Sequence, residues 1–404
     1  GEVKSCGEDG AVSLGRVWAL CAATGEVVWH SHDVISGEVK GSPVVLQVFQ
    51  DQATSVSRLP IICVGSHDGC LYAFHAVTGA FLNTLYLCKG ALYSSPVPCG
   101  QSARLPHQRD NRLLVTTTGG WVVSIVLELN VSGEVELLMS EDWSYNTIDN
   151  APVFTTPVVF TCPTYCAGGT ETLCAVFCTV GGDCICLDAR NGTLIWSLNV
   201  TTDRPSGQFD IAKSSPIFSS PCLFPLQRHA SFQAKSEDEC TGVSSTTTVV
   251  CPDVGLAFGC HDGCLRFVSC QLGQVIWKVD LHSAIYASPS VVSLPAPNGT
   301  SPLIAFVATT SGELISLSLP AIFNSEVPDS KGVKVVTCSR LPGEVYSSPV
   351  VAVEATSIHC DPGSTSEPHE QSVHDFSVFV AIGCRDDSVY AYSFASSSDS
   401  KLQS

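Results

Sequence analysis

The stretch Cys260–Cys264 (CHDGC) is the part of this sequence that most resembles a metal-binding motif. Two thiolates and an imidazole are zinc ligands, and here they lie within one short stretch. The same turn recurs as SHDGC at Ser66–Cys70 with one cysteine fewer, and Asp-Gly favours a two-residue hairpin turn with positive φ. The pattern therefore predicts a tight turn between two strands, and we assign no metal site.

The stretch Asp386–Val389 (DDSV) superficially matches the Asp-Ser-Leu motif to which a phosphopantetheine arm is attached. That attachment needs the serine at the start of a helix in a small bundle, whereas Ser388 begins a strand-like run. No Walker A loop, Gly-x-Ser-x-Gly elbow or His-Glu-x-x-His motif occurs in the sequence. The sequence thus predicts no catalytic residue.

Two lysines stand at one position of a recurring phrase and could form a ligand site. Lys40 and Lys213 each lie three residues before a proline, where other copies carry an aromatic residue. If the copies converge, these side chains meet at the mouth of one channel, and convergent polar groups in a concavity are typical of ligand sites. Lysines also extend into solvent on ordinary surfaces. The candidate channel ligand site comprises Lys40, Lys213, Tyr93, Tyr286 and Tyr346.

The recurring phrase is two small residues, a proline and then β-branched residues, as in SSPVV at 347–351. Its prolines are assigned to positions 43, 96, 157, 216, 289 and 349. Short runs rich in Val, Ile, Tyr and Phe follow each proline and are separated by Gly-containing turns, which predicts strands and hairpins. Four antiparallel strands repeated in this way form a blade, so we predict an all-β fold, a β-propeller of four-stranded antiparallel blades.

Proline has a positional meaning in this fold, because it cannot donate to a strand ladder and is confined to strand starts and edges. We therefore expect the prolines to begin the innermost strand of each blade and to line the axis, beside small residues. Tryptophans mark the outer, fourth strand in three copies: Trp29, Trp196 and Trp277. The extra length falls mostly in expected loops between first and second strands, as at 46–60 and 221–248.

Strand counting predicts one propeller domain over 1–393 with seven visible blades, and a disordered tail over 394–404. The N-terminal copy lacks a first strand and the last copy lacks a fourth, with five complete units between them. The ring is therefore expected to be truncated at its N-terminus, and both seven and eight blades are open for the intact ring.

Charge and composition restrict the partners. With 20 Lys and Arg against 38 Asp and Glu, the net charge of −18 disfavours nucleic acid and anionic membranes, since both require basic patches. No apolar run reaches the roughly 18 residues of a transmembrane helix. Many of the 21 cysteines stand where Val or Ala would stand in a strand, which predicts reduced core thiols in a cytoplasmic protein. Four N-x-S/T sequons would favour a secretory compartment instead: Asn130, Asn191, Asn199 and Asn298.

Longer motifs carry a family resemblance. The repeat unit resembles pyrroloquinoline-quinone-type (PQQ-like, quinoprotein-type) repeats over about 15–393. The motifs that carry this resemblance are SSPVV with IGCRDDSVYAYS, GSHDGCLYAFHAVTG and GQVIWKVDL. The runs LPGEVYSSPVV, IGCRDDSVY and GSHDG narrow the resemblance to the C-terminal propeller of the beta-alanine-activating enzyme family. In that family an adenylation domain activates an amino acid, and a phosphopantetheine carrier domain and then the repeats follow. Neither upstream domain lies in this sequence.

The resemblance implies a non-catalytic interaction or scaffold propeller from an amino-acid-activating, adenylate-forming enzyme, with protein or other domains of the parent as partners. Quinoprotein dehydrogenases hold their cofactor with a vicinal Cys-Cys pair and acidic calcium ligands, and this sequence has no adjacent cysteines. No cofactor is therefore predicted. Two alternatives are open: a fragment of a quinone-dependent dehydrogenase, and an unrelated luminal or extracellular binding propeller.

Overall fold

Strands dominate the computed structural model, which has two short 3-10 helices at His32–Val34 and Ile148–Asn150 among its described residues. No helix in that part of the chain is long and apolar enough to cross a bilayer. The chain divides into two compact units, Gly1–Thr161 with Glu171–Ser215 and Cys162–Thr170 with Pro216–Ser404. The structure describes residues 15–51, 56–99, 111–130, 136–162, 172–201, 215–233, 246–294, 302–320, 322–324, 332–355, 376–396 and 402–403.

The first unit contains four antiparallel sheets among its described residues. The N-terminal sheet has two strands, β1 (Trp18–Leu20) and β2 (Val27–His30). Each of the next three sheets has four strands in chain order. These strands are β3 (Val44–Asp51), β4 (Val56–Gly65), β5 (Cys70–His75) and β6 (Phe81–Tyr86); β7 (Val97–Cys99), β8 (Arg112–Thr116), β9 (Trp121–Asn130) and β10 (Glu136–Asn146); and β11 (Val158–Cys162), β12 (Thr172–Cys178), β13 (Asp183–Asp188) and β14 (Leu194–Asn199).

The second unit contains three sheets among its described residues. Their strands are β15 (Cys222–Gln233), β16 (Thr246–Gly259), β17 (Cys264–Ser269) and β18 (Gln274–Asp280); β19 (Ser290–Ser293), β20 (Leu303–Ala308), β21 (Glu313–Leu319) and β23 (Lys334–Arg340); and β24 (Val350–Ala355), β25 (Phe376–Gly383), β26 (Val389–Ser396) and β27 (Leu402–Gln403). A further short strand, β22 (Ile322–Asn324), pairs with β15 in parallel.

The strand order confirms the predicted fold class, a β-propeller of four-stranded antiparallel blades. In the five sheets that begin at β3, β7, β11, β15 and β19, successive strands of one copy are neighbours in space, as five complete units require. The lack of a fourth strand predicted for the last copy is wrong, since β27 pairs with the end of β26. β26 also crosses the expected domain end at residue 393. β27 also lies in this expected tail, and the disorder expected for the other residues of 394–404 stays a prediction.

Two of the expected loops are largely strand. β3 and β4 pair continuously from Val44 with Cys63 to Asp51 with Val56, so most of 46–60 belongs to a long hairpin. β15 and β16 likewise pair from Cys222 with Ala257 to Gln233 with Thr246. The extra residues of these copies therefore lengthen the first two strands beyond the ladder shared with the third strand.

The hydrophobic core lies between consecutive sheets. Leu46, Ile61 and Leu71 of one sheet pack with Leu113 and Ile125 of the next in a single buried cluster. Side chains alternate between the two faces of a strand, so each inner strand contributes to the cores on both sides of its sheet. This explains why the second and third strands are mostly apolar, as in β20, where every residue is apolar and buried. β17 is also buried throughout, although it contains Arg266 and Ser269.

A tight turn joins the second and third strands of each copy, and in three copies an aspartate organises it. The aspartate carboxylate accepts the backbone N–H two residues on, from Cys70, Cys264 and Ser388 at 2.9, 3.0 and 3.1 Å. The aspartates are Asp68, Asp262 and Asp386. The CHDGC and DDSV motifs are therefore two versions of one hairpin turn. In three other copies a threonine hydroxyl accepts the N–H four residues on, and these threonines are Thr117, Thr179 and Thr309.

One backbone hydrogen bond, from this turn to the chain ahead of the first strand, defines the register of every copy. Arg385 N–H donates to the Glu344 carbonyl at 3.0 Å, and Glu344 lies five residues before Pro349. In the fourth copy the equivalent bond runs from His261 to Pro216. The proline five residues further on is Pro221, and β15 begins immediately after it. The other members of this series are His67 to Glu38, Thr118 to Ala91, Val180 to Pro152 and Thr310 to Ala284.

The assignment of Pro216 as the repeat proline is therefore wrong by five residues. The sequence SSPIFSSPC contains the phrase twice, and the second occurrence, ending in Pro221, starts the strand. With this correction, a proline directly precedes the first strand of all six copies that have one. Pro43 is exposed, and the other five are buried: Pro96, Pro157, Pro221, Pro289 and Pro349.

Candidate functional site

Each sheet brings two positions to the same end. The first strand begins where the second strand finishes, because the two run antiparallel, so the residue three before the repeat proline lies beside the turn between the second and third strands. The register-defining hydrogen bonds hold these segments together. The first-strand position is Lys40, Tyr93, Phe154, Phe218, Tyr286 and Tyr346 in successive copies, and we call these six residues the aromatic row.

The corrected register changes one predicted site residue. Phe218, and not Lys213, stands at the aromatic-row position of the fourth copy, because the row lies three residues before Pro221. Lys213 itself lies outside the described residues. The row therefore has five aromatic residues and one lysine, and the idea of two lysines at equivalent positions is wrong.

In the first unit the aromatic row packs through its rings. Tyr93 contacts Phe154 edge-to-face, with centroids 5.0 Å apart and planes at 83°, and the His67 ring lies 5.5 Å from Tyr93 on the turn side. Lys40 is exposed, and its Nζ lies 2.6 Å from Oε2 of Glu38. The hydrogen bond to Glu38 raises the pKa of Lys40, so this lysine is a cation with a local counter-ion.

In the second unit the row forms a continuous run of three rings. Phe218 stacks on Tyr286 at 4.9 Å with planes at 19°, and Tyr286 contacts Tyr346 at 5.2 Å. The Arg385 guanidinium lies 4.3 Å from the Tyr346 ring centroid, a cation–π distance. His261 completes the set from the turn side, edge-on to Tyr286 at 5.4 Å.

Charged groups surround the exposed end of this run. The Tyr346 hydroxyl donates to Oε2 of Glu344 at 3.2 Å, and Arg385 Nη1 donates to the same oxygen at 3.3 Å. Partial burial and then the Glu344 carboxylate raise the pKa of Tyr346, so its phenol stays neutral at physiological pH. Tyr93 and Tyr346 are 38% and 39% exposed, which leaves a large part of each ring available for contact with another molecule.

Hydroxyl side chains fix the spacing of the first strands. In the first unit the Ser42 N–H donates to Ser95 Oγ at 2.8 Å, and the Ser95 N–H donates to Thr156 Oγ1 at 3.2 Å. In the second unit the Ser220 N–H donates to Ser288 Oγ at 2.8 Å, and the Ser288 N–H donates to Ser348 Oγ at 2.9 Å. The residue before each proline is thus chosen for its hydroxyl as well as for its small size.

The CHDGC stretch has the chemistry of a turn. Burial opposes ionisation of Asp262, yet the hydrogen bonds and charge of Arg266 lower its pKa to about 2. Arg266 is fully buried and contacts the carboxylate at 2.6 and 3.1 Å. Burial raises the pKa of the Cys260 thiol to about 12. Within the described residues no three His, Cys, Asp or Glu side chains are grouped to hold a metal ion.

The DDSV stretch likewise forms a hairpin turn. Ser388 lies in the turn before β26, and the Tyr390 hydroxyl donates to the second carboxylate oxygen of Asp386 at 2.5 Å. The Asp68–Tyr72 pair repeats this contact at 2.7 Å. Ser388 is thus placed on a strand-to-strand turn, where the helix start required for phosphopantetheine attachment is missing.

A cavity of about 330 Å³ lies in the first unit, away from the aromatic row. β2 and the turn between β5 and β6 line it, with Trp29, His30 and Phe74 among its walls. The Trp29 indole N–H donates to the Ala76 carbonyl at 3.1 Å, so this wall is anchored to the next sheet. Its walls include none of the aromatic-row residues.

Sequence reasoning missed the residues that border the aromatic row from the turns: His67, His261 and Arg385. Their common signal is their place immediately before Asp68, Asp262 and Asp386 of the turn motif. Sequence reasoning also missed Trp143 as the repeat-equivalent of Trp29, Trp196 and Trp277. Trp143 pairs with Ser124 at the same register of the fourth strand. In the other three copies the tryptophan comes four residues after a glycine, whereas Trp143 comes ten residues after Gly133.

A family model described as outer membrane protein assembly factor BamB, of the PQQ-like repeat type, matches residues 13–279. The chain belongs to this family. The BamB-type PQQ-like repeats thus account for most of the sheets described above. The expected resemblance to PQQ-like repeats is confirmed.

The beta-alanine-activating enzyme of Drosophila melanogaster is a more distant relative, 23% identical over 318 residues. The match covers 70% of this chain and 26% of that enzyme, so the chain spans about a quarter of the length of this relative. BamB from Moraxella catarrhalis has a TM-score of 0.46 at 13% identity, with 96% of this chain and 90% of that chain covered. Quinohemoprotein alcohol dehydrogenase from Comamonas testosteroni has a TM-score of 0.48 at 14% identity, with 92% and 61% covered.

Proposed function

We propose that this chain is a non-catalytic interaction propeller of an amino-acid-activating enzyme of the beta-alanine-activating type, and that its aromatic row binds a protein segment. The segment belongs to another domain of the parent enzyme or to a separate protein. The proposal places the chain in the cytoplasm and gives it no role in binding nucleic acid or membranes. The partial match to the Drosophila enzyme supports the parentage.

The observation that carries the binding role is the exposed end of the second-unit row. Tyr346 is held between Tyr286 on one side and Arg385 and Glu344 on the other, yet more than a third of it is open to solvent. Tyrosine and arginine are enriched among the residues that dominate protein–protein binding energy, and packing that fixes them in advance lowers the entropy lost on binding. The charged groups beside the ring would satisfy polar groups of an incoming backbone.

Calorimetric titration of the chain with the adenylation and carrier portion of its parent enzyme tests this role. We expect saturable binding, and about tenfold weaker binding for Tyr346→Ala, the loss typical of an interface tyrosine. Tyr86→Ala is the matched control, because Tyr86 is an exposed tyrosine in the outer strand β6. It should bind like the unmodified chain. Equal affinities for Tyr346→Ala and Tyr86→Ala would place the interface elsewhere and refute the assigned surface.

Titration with pyrroloquinoline quinone and calcium distinguishes the dehydrogenase alternative. A quinone site needs an aromatic surface, groups for the carboxylates and a calcium ion as Lewis acid. In the second unit the rings of the row lie beside Arg385, but the neighbouring carboxylate of Glu344 already pairs with Arg385. In the first unit the Glu38 carboxylate likewise pairs with Lys40. We expect no heat beyond dilution, and saturable micromolar binding would make the dehydrogenase alternative primary.

A further inference from the structure

Cys178 and Cys184 lie directly opposite each other on β12 and β13. Both backbone groups of Cys178 are used on the other side of its strand, since its N–H donates to Thr155 Oγ1 at 3.0 Å and its carbonyl accepts from the same hydroxyl at 2.8 Å. The next pair towards the turn, Thr179 with Asp183, is hydrogen-bonded across the two strands. Because hydrogen-bonded and non-hydrogen-bonded pairs alternate in an antiparallel ladder, Cys178 and Cys184 form a non-hydrogen-bonded pair.

This geometry brings the two thiols within bonding reach. Residues of a non-hydrogen-bonded pair have Cα atoms about 4.5 Å apart and side chains on the same face, and disulfides span Cα separations of about 4.4–6.8 Å. Both side chains are fully buried.

The neighbouring thiols on the same face do not share this geometry. Cys186 is opposite Val176, and Cys174 is opposite Asp188. A diagonal neighbour such as Cys186 lies about 7–8 Å from Cys178, beyond the usual range for a disulfide. The strand register therefore places one pair of these four buried cysteines, Cys178 and Cys184, directly opposite each other.

We infer that Cys178 and Cys184 form a redox site, joining as a cross-strand disulfide when the chain folds in contact with a small-molecule disulfide of the glutathione type. Two S–H bonds break and one S–S bond forms between the Sγ atoms. The two electrons and two protons pass to the small disulfide, which leaves as two thiols. The exchange proceeds through a mixed disulfide while β12 and β13 pair, because burial in the folded chain shields both thiols from reagents.

Refolding the full reduced chain tests the inference. The unfolded chain is refolded in a mixture of reduced and oxidised glutathione, remaining thiols are alkylated, and the peptides are mapped by mass spectrometry without reduction. We expect one linked species joining the peptides of Cys178 and Cys184, lighter by two hydrogens than the sum of its parts. In dithiothreitol both residues should be alkylated once the chain is unfolded.

Two variants make the assignment specific. Cys186→Ser should keep the link, because Cys186 has no cysteine opposite it, whereas Cys184→Ser should abolish it. A folded, unmodified chain in which Cys178 and Cys184 are both recovered alkylated after oxidative refolding would overturn the inference. Linkage of Cys178 to Cys186 in the unmodified chain would overturn it equally, and neither result depends on the folding of a variant.

Discussion

Asp387 has a φ of 62° at a turn position that five other copies fill with glycine. The glycines, Gly69, Gly120, Gly182, Gly263 and Gly312, have φ between 79° and 86°. A side chain at positive φ costs energy, although aspartate tolerates this region better than most residues. The last copy therefore keeps a strained residue where the repeat specifies glycine.

Replacing this residue should stabilise the protein. We expect Asp387→Gly to raise the free energy of unfolding by up to about 1 kcal/mol, since relief of the left-handed strain exceeds the added chain entropy of glycine. Urea unfolding followed by circular dichroism measures the change. The reverse control is Gly312→Ala, whose Cβ would meet the Gly343 carbonyl oxygen at 2.5 Å and should destabilise the chain. Loss of stability in Asp387→Gly would contradict the strain argument.

The Asp262–Arg266 ion pair gives the protein an acid-sensitive contribution to stability. The pKa of Asp262 in the folded chain is about 2, below its ordinary value of 3.8. A depressed carboxyl pKa stabilises the fold above the unfolded pKa, and that contribution disappears as pH falls from about 4 through about 2. By linkage it amounts to roughly 2 kcal/mol.

Arg266→Tyr should reduce this acid sensitivity, because it recreates the Asp–Tyr contact of Asp68 with Tyr72 and removes the cation that lowers the pKa of Asp262. We expect the free energy of unfolding to fall less between pH 4 and pH 2 in Arg266→Tyr than in the unmodified chain. Urea titrations at several pH values measure both profiles. Parallel profiles for the two proteins would show that the ion pair is not the source.

At the scale of strands, the hydroxyl side chain before a repeat proline accepts a backbone hydrogen bond that links the first strands of neighbouring copies. We expect Ser95→Ala to lower the free energy of unfolding by about 1 kcal/mol, because it leaves the Ser42 N–H without its acceptor. Ser95→Thr is the matched control, since Thr156 occupies the same position in the following copy and accepts the same kind of bond. Chemical denaturation of the three proteins measures their free energies of unfolding. Equal stability of Ser95→Ala and the unmodified chain would show that only the small size of the serine matters at this position.

Strand patterns were predictable because they are local. Alternating apolar runs, Asp-Gly turns and prolines at strand starts each depend on a few neighbouring residues, and they sufficed for five complete blades. The fourth copy was misplaced because SSP occurs at 214–216 and again at 219–221, and both satisfy the local pattern. The long-range bond from His261 to Pro216 and the start of β15 at Cys222 distinguish them. The same shift explains why Lys213 was predicted and Phe218 was missed at the candidate site.

Contacts that depend on how strands and turns of one copy meet were the part that the sequence could not supply. Arg385 and Tyr346 are 39 positions apart, and their cation–π contact depends on how the turn of a blade meets its own first strand. The pairing of Cys178 with Cys184 depends on the register of the hairpin, which a shift of one residue would destroy. Both features follow from ladder geometry and leave no mark in composition.

At the scale of the whole molecule, the cysteines and sequons bear on the compartment. Sixteen of the cysteines in the described residues are free thiols, and many of them lie in the core. Of the sequons, Asn191 is exposed in a turn, whereas the Asn199 amide donates to Asp183 at 2.6 Å and a glycan there would break this contact.

The serine ladder also bears on how such a chain changes length over evolution. Ser95 and Ser288 each accept a hydrogen bond from the preceding copy and donate one to the following copy. A copy gained or lost as a whole therefore leaves each of these backbone N–H donors with a hydroxyl acceptor. Gene duplication in units of one blade therefore leaves no backbone N–H group unpaired at this position. Insertions of any other length fall instead where they break no such bond, between the first and second strands.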